Sequence, residues 1–284
     1  MTKNTVKTVK INRIINDCNG VKTLIFNLKE VDAVNYEKPK PGQFAMIWVP
    51  GIDEVPMSIS GCDEIGNWSI TVKNVGECTE AIHKLKIGDF IGIRGPLGNC
   101  FEIPQDKSKN LFLISGGIGI APLRFLLSEL SRLNYQFKVI HGAKVESELI
   151  HIDEFSELEI NDSKIFYCTD DGSYGAEGFA SDTFENLIKK LSTQELSKCV
   201  VYTCGPEKMI FKIFKTCEKN KIELQASLER IMRCGCGLCG LCVMDPLGLL
   251  VCKDGPIFNS KSLRQMADFG KYKRDFTGKK ILIE

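Results

Sequence analysis

The segment NLFLISGGIGIAPLRFLLSELSRL, residues 110–133, constrains the fold more than any other stretch. NLFLIS (110–115) is a continuous apolar run, and GGIGIAP (116–122) follows it. Leu123, Leu126, Leu127, Leu130 and Leu133 then recur at helical spacing. A buried strand feeding straight into an amphipathic helix opens a βαβ unit, which requires a parallel sheet. The pattern returns at FKVIHGA (137–143), KIFYCTDDG (164–172) and KCVVYTCGP (198–206), with helical segments near 180–192 and 207–219.

Before residue 108 the rhythm is different. KTVKINRI, VKTLIFNL, QFAMIWV, WSITVKNV and DFIGIRG are short, rich in Val, Ile, Phe and Trp, and separated by turn residues. Such spacing predicts an antiparallel barrel or sandwich. One short helix is expected over 77–89, with Thr79 as its N-cap. After residue 225 the chain is rich in Cys and Gly and ends in a basic tail, FGKYKRDFTGKK (269–280). So short a region can bury little apolar surface, so a metal centre is the expected source of its stability. The fold class predicted is a multidomain α+β chain. It has an antiparallel β-barrel over 1–107, a parallel-sheet α/β domain over 108–224 and a small C-terminal domain over 225–284.

Net charge is +1, which argues against a general nucleic-acid or membrane-surface role. No run reaches the ~18 apolar residues of a membrane span. The chain has 13 cysteines and a polar start, MTKNTVKTVKINRI, with no secretory pattern. A reducing, cytoplasmic setting is expected, where thiols stay free or bind metal. Eight cysteines (18, 62, 78, 100, 168, 199, 204 and 217) are scattered and read as small buried apolar residues.

GGIGIAP places Gly116, Gly117 and Gly119 where backbone can approach a ligand, with Pro122 in the first helical turn. Free N–H groups at a helix start suit a phosphate. The fit to G-x-G-x-x-G is incomplete, and a plain tight turn is the competing reading. TDDGSYGAEG (169–178) and TCGPEKM (203–209) also follow apolar strands. In open parallel sheets, ligands sit at the carboxyl ends of strands. Asp171, Cys204, Gly205, Pro206 and Met209 are therefore candidates for a dinucleotide site, although Asp170 and Asp171 fit a solvated turn equally well.

RCGCGLCGLC (233–242) and Cys252 put five thiols within twenty residues. Paired C-x2-C zinc knuckles lack a second pair. A [4Fe–4S] run fits Cys236, Cys239 and Cys242 and then lacks its last member. The C-x4-C-x2-C spacing of a [2Fe–2S] centre, with a distant fourth thiol, is met by Cys234, Cys239, Cys242 and Cys252. Glycines between the ligands favour this last reading over zinc and other Fe–S forms.

PGQF (41–44), GDFIGIRGPLG (88–98), GGIGIAP and CGPEKM together resemble the ferredoxin–NADP reductase superfamily over the first 220 or so residues. The resemblance implies that the barrel binds FAD and the second domain binds NAD(P). The flavin motif Arg-x-Tyr-Ser falls on Val55, Pro56, Met57 and Ser58, and the Gly-Thr pair on Cys78 and Thr79. Val55, Met57 and Cys78 depart from the pattern; Ser58, Gly76 and Thr79 keep it. Val72, Lys73 and Asn74 complete the implied flavin set, with Lys73 the candidate for the flavin phosphates in place of the missing arginine.

LERIMRCGCGLCGLCVMDPLGLLVCKDGPIF (228–258) extends the likeness to essentially the whole chain. It resembles the electron-transfer subunits of NAD-dependent dihydroorotate dehydrogenases. That family implies a [2Fe–2S] cluster on Cys234, Cys239, Cys242 and Cys252, with an apolar residue at the place of Cys236. It also implies a partner, the FMN-containing catalytic subunit, in a heterotetramer with two of each. A flavin exchanges electrons singly or in pairs, so the implied order is NAD, FAD, [2Fe–2S], partner. His83, His141 and His151 form no acid–base constellation, which places organic-substrate chemistry on the partner. Lys144 without an arginine leans toward NAD. The runner-up is a related subunit of a sulfide dehydrogenase, a ferredoxin:NADP⁺ transhydrogenase or a hydrogenase. From another class, the lost arginine at Val55 leaves room for a regulatory protein with structural zinc. The cysteine assignment predicts that Cys236→Ala keeps the visible spectrum of the cluster, whereas Cys239→Ala loses it.

Overall fold

The computed structural model describes residues 5–157 and 164–283. The first region is a closed six-stranded antiparallel barrel in the order β1-β2-β5-β4-β3-β6. Its strands are β1 (Lys7–Cys18), β2 (Val21–Asn27), β3 (Phe44–Val49), β4 (Asp53–Cys62), β5 (Asn67–Lys73) and β6 (Phe90–Leu97). Alternation sets the two faces of each strand. On β5, Trp68, Ile70 and Val72 fill the barrel core, while Ser69, Thr71 and Lys73 take the alternate positions.

Helix α1 (Glu77–Lys84) interrupts the barrel as expected, but its cap differs. The N-cap is Gly76, and Thr79 is the third helical residue. Its hydroxyl reaches back to accept from Val75 N and Gly76 N, both at 2.9 Å. A threonine three residues into the helix can satisfy the same orphan donors from inside, which is the reach-back half of a capping box.

The α/β region contains β7 (Asn110–Gly116), α2 (Ile120–Arg132), β8 (Phe137–Ala143), α3 (Ile152–Glu157), β9 (Lys164–Thr169), β10 (Ala176–Glu177), α4 (Ala180–Ile188), α5 (Thr193–Leu196), β11 (Cys199–Cys204), α6 (Glu207–Asn220) and β12 (Glu223–Ser227). The C-terminal part adds β13 (Val243–Met244), β14 (Leu249–Leu250), β15 (Ile257–Asn259), α7 (Ser260–Gln265), β16 (Tyr272–Arg274) and β17 (Lys280–Leu282). The seven-stranded sheet runs β10-β9-β8-β7-β11-β12-β15, parallel except where β15 pairs antiparallel with β12.

The C-terminal segment is less self-contained than its length implies. The boundary expected at 224/225 falls inside β12, and β15 extends the same sheet. Cys242, Met244, Val251, Cys252, Phe258, Leu263, Met266 and Phe269 share one apolar core with Phe112, Ile114 and Phe184 of the sheet region. Burial against an existing sheet supplies what the segment could not bury alone. The basic tail is also partly neutralised: Lys280 pairs with Asp245 and Asp268, and Arg274 with Asp245. Of the eight scattered cysteines, Cys168, Cys199 and Cys217 are buried; the other five are only half-buried.

His141 is fully buried, its Nδ1 2.9 Å from Ser115 Oγ. Burial, then the nearby His151, pushes its pKa down to about 3. In the unfolded chain it would take a proton near pH ~6.5. The unfolded state therefore binds more protons as pH falls through that window, and stability drops by up to ~1.4 kcal/mol per pH unit. Denaturant titrations at about pH 7.5 and about pH 5 are expected to show this loss, and His141→Gln is expected to shrink it.

Candidate functional site

A cavity of about 770 Å³ opens between the barrel and the carboxyl edge of the parallel sheet. The barrel contributes Pro56, Met57 and Ser58 from β4, and Thr71 and Lys73 from β5. The sheet side contributes Gly116, Gly117, Gly119 and Pro122 after β7, and Cys204, Gly205, Pro206 and Met209 after β11. Two stretches distant in sequence thus face each other across one space large enough for a sizeable ligand.

Other residues singled out from the sequence stand elsewhere. Val55 and Cys78 pack against the barrel core, and Val72 lies within it. Asn74 N donates to Gly20 O at 2.8 Å. Gly76 and Thr79 belong to the α1 cap. Asp171 accepts from Ser173 N and Ser173 Oγ, bonds that hold its carboxyl below the usual range. It is the neighbouring Asp170 that lines the cavity.

The cavity also contains residues the sequence reading passed over. Thr71 alternates with the core residues of β5, but only the folded cavity gives it a role. Lys208 and Lys212 sit one helical turn apart in the first half of α6, a spacing that could have pointed to them. The wall carries Lys73, Lys144, Lys208, Lys212 and Arg230 against Glu148, Asp170 and Glu229. Lys73 faces Glu148 at 3.6 Å and Lys212 pairs with Asp182. Lys144 and Lys208 make no ion pair among the described residues, so they can meet phosphate charge. Arg230 is committed to structure: it pairs with Glu207, which also accepts Gly270 N at 2.7 Å.

Gly119 fixes how closely two of the loops pack. A Cβ there would lie 2.4 Å from Cys204 O and 2.6 Å from Gly205 N. Only glycine lets the first turn of α2 rest on the β11 loop.

The cysteine segment starts in this same wall, since Glu229, Arg230 and Met232 line the cavity and Cys234 follows. Gly235, at φ +64°, presses on the outer face of the barrel, where a Cβ would lie 2.8 Å from Met46 Cγ. Cys234 Sγ accepts from Leu238 N at 3.2 Å and Cys239 N at 3.3 Å; Cys242 Sγ accepts from Cys252 N at 3.5 Å. Burial raises the Cys234 thiol, but the backbone donors outweigh it and bring it down to about 6. The Cys242 thiol is lowered by its hydrogen bond with Cys252, whose own thiol is pushed up.

Among the described residues, no three Cys, His, Asp or Glu side chains gather tightly enough for a single metal ion. The thiols fall into two groups: Cys242 meets Cys252, and Cys234 meets both Cys239 and Cys236. A binuclear centre takes two protein ligands at each iron, so two separate thiol groups suit [2Fe–2S] better than one tetrahedral zinc. Cys236 is exposed, and burial together with its bond to Cys234 raises its thiol.

Comparison with known proteins agrees with both halves of the site. Residues 229–264 match the iron–sulfur cluster binding domain of dihydroorotate dehydrogenase B, and residues 113–214 match an oxidoreductase NAD-binding domain. The chain is 40% identical over 272 residues to a probable dihydroorotate dehydrogenase B (NAD(+)) electron transfer subunit of Methanocaldococcus jannaschii, covering 96% of each. It is 38% identical over 275 residues to the Methanocella arvoryzae protein of the same description, covering 96% of this chain and 97% of the other. A solved NADH-dependent reduced ferredoxin–NADP oxidoreductase, described in connection with flavin-based electron bifurcation, superposes with a TM-score of 0.77 at 26% identity and 95% coverage of both chains. Among the described residues, no helix is long and apolar enough to cross a membrane.

Gly119→Ala tests the loop contact. Overpacking of this kind costs about 1–3 kcal/mol, or roughly 5- to 150-fold in affinity. Titration is expected to show NADH binding weakened within that range, with the visible spectrum unchanged.

Proposed function

The chain belongs to the family of dihydroorotate dehydrogenase B (NAD(+)) electron transfer subunits, and from that premise we propose that its partner is the FMN-containing catalytic subunit, in an assembly of two of each. The chain is an oxidoreductase subunit of pyrimidine biosynthesis that carries electrons to NAD⁺. Its cofactors are a [2Fe–2S] cluster, FAD and NAD. The observation that carries the proposed route is the shared wall: the segment bearing Cys234 leaves the cavity that Met57, Ser58 and the glycine loops enclose.

Cys234, Cys239, Cys242 and Cys252 hold the cluster in this reading, with backbone N–H groups turned toward two of the sulfurs. Pro56, Met57, Ser58 and Lys73 form the flavin side, with Val55, Val72, Asn74, Gly76, Cys78 and Thr79 behind them in the barrel and the helix cap. Lys73 serves phosphate charge there, and α1 presents its N-terminal turn. Gly116, Gly117, Gly119, Pro122, Cys204, Gly205, Pro206 and Met209 form the nicotinamide side, with Asp170 there in place of the expected Asp171. FAD, when bound, supplies the conversion between single electrons and a hydride. The protein's own work is to fix both partners and keep water from the reacting face.

A second reading draws on the structural likeness to a ferredoxin–NADP oxidoreductase, namely a homologous subunit serving ferredoxin. One assay separates the two. Purified chain mixed with the catalytic subunit is expected to stimulate dihydroorotate-dependent NAD⁺ reduction severalfold or more over the catalytic subunit alone. No stimulation, with transfer from reduced ferredoxin instead, would contradict the dihydroorotate assignment.

A further inference from the structure

Reduction of NAD⁺ by single electrons has a proton requirement: NAD⁺ + 2 electrons + H⁺ gives NADH. A cluster delivers electrons without protons, and the nicotinamide departs with a hydride. One proton must therefore reach the flavin side of the cavity in each turnover. Hydride transfer needs close contact on the open side, which leaves the barrel wall as the other approach.

That wall holds a chain of polar side chains leading away from the cavity. Thr71 lines the cavity and is 5% exposed. Its Oγ1 is 2.8 Å from Thr23 Oγ1, and Thr23 Oγ1 donates to Asp17 Oδ2 at 2.7 Å. Asp17 Oδ1 lies 3.3 Å from His151 Nδ1, which lies 3.4 Å from Glu154 Oε2. Both the Asp17 and His151 side chains are 5% exposed, whereas that of Glu154 is 36% exposed and reaches water. The line runs from cavity to surface across the seam between barrel and sheet region.

The surroundings do not short-circuit it. Thr71 also donates to Ser60 Oγ, and Ser60 to Ser69, whose hydroxyl accepts from Arg124. That branch ends on a permanent cation. Arg124 holds Glu154 through two 2.8 Å bonds. Cys18, Lys73 and Glu148 flank the Asp17 end, and His141 faces His151 from β8.

We propose that Glu154, His151, Asp17, Thr23 and Thr71 are the route by which the proton consumed in NAD⁺ reduction enters the cavity; the proposal rests on the flavin reading above. At rest Thr23 donates to Asp17. Glu154, protonated from water, first gives a proton to Nδ1 of the neutral His151; the imidazolium passes it to Asp17, which becomes the donor. The hydroxyls of Thr23 and Thr71 turn over, and Thr71 Oγ1 passes a proton into the cavity. His151 is then neutral again, and no electrons move in the relay. Burial suits each member to its part. It raises the Asp17 carboxyl, so that group can hold a proton. Together with Arg124 it pushes His151 down to about 3, so the imidazolium formed in passing gives its proton up at once.

The same network could merely glue the two regions together, so the test reads protons separately from hydride. It runs the reaction backwards on the FAD- and cluster-loaded chain: NADH + 2 ferricyanide gives NAD⁺ + H⁺ + 2 ferrocyanide. In weak buffer, stopped-flow bleaching of the flavin bands reports hydride arrival and a pH indicator reports proton release. In Thr23→Val and Asp17→Asn, bleaching is expected at the wild-type rate, while proton release and flavin reoxidation slow on the order of a hundredfold. Thr23→Ser is expected to restore both, and added formate, a diffusible proton carrier, to rescue Asp17→Asn. Wild-type proton release in Thr23→Val would overturn the relay, as would equal slowing of bleaching and proton release. Absence of flavin bands from the wild-type chain would instead overturn the functional reading, and the relay with it.

Discussion

The pairing of β15 with β12 is the constraint on which the site depends. Gln225, Ala226 and Ser227 face Asn259, Phe258 and Ile257 in antiparallel register. Between those strands the chain makes one excursion, and that excursion contains every proposed cluster ligand. Asn99 of the barrel anchors its return: its side chain donates to Asp254 O and Ile257 O and accepts Ile257 N, all within 3.0 Å. Barrel, sheet and cysteine loop are thus held by a few directional bonds whose loss would leave buried polar groups unpaired. The loop cannot drift from the cavity without breaking the sheet edge.

This arrangement joins stability to function. Cys242 and Cys252 are buried in the core that also contains Phe184 and Ile210, so the couple proposed for one iron is part of the packing of the nucleotide region. The other couple, Cys234 and Cys239, lies toward the surface, beside the exposed Leu238. One end of the cluster site is set by a rigid interior and the other faces outward, a gradient suited to handing electrons between a fixed internal carrier and an external one.

Much of this was readable in the sequence, for physical reasons. The βα rhythm from residue 110 and the alternation of the barrel strands reflect burial, which periodicity reports directly. The cysteine spacing reflects metal geometry. Contacts between elements distant in the chain could not be read this way. Residues 257–259 are too few to show a period, so β15 and the shared core were missed, and the C-terminal segment looked unable to bury apolar surface. Thr79 looked like a cap because hydroxyls serve a helix start from more than one position. Thr71 went unremarked because its role depends on Thr23 and on a cavity shared with the glycine loop, and neither is local.

The central claim is that electrons pass between nicotinamide and cluster only by way of the flavin. Rapid-freeze electron paramagnetic resonance of the isolated chain after mixing with NADH tests it most directly. The account predicts the signal of a reduced [2Fe–2S] cluster within a turnover, and its loss when FAD is stripped while the cluster remains. No signal from the loaded chain, or an equal signal without FAD, would contradict it.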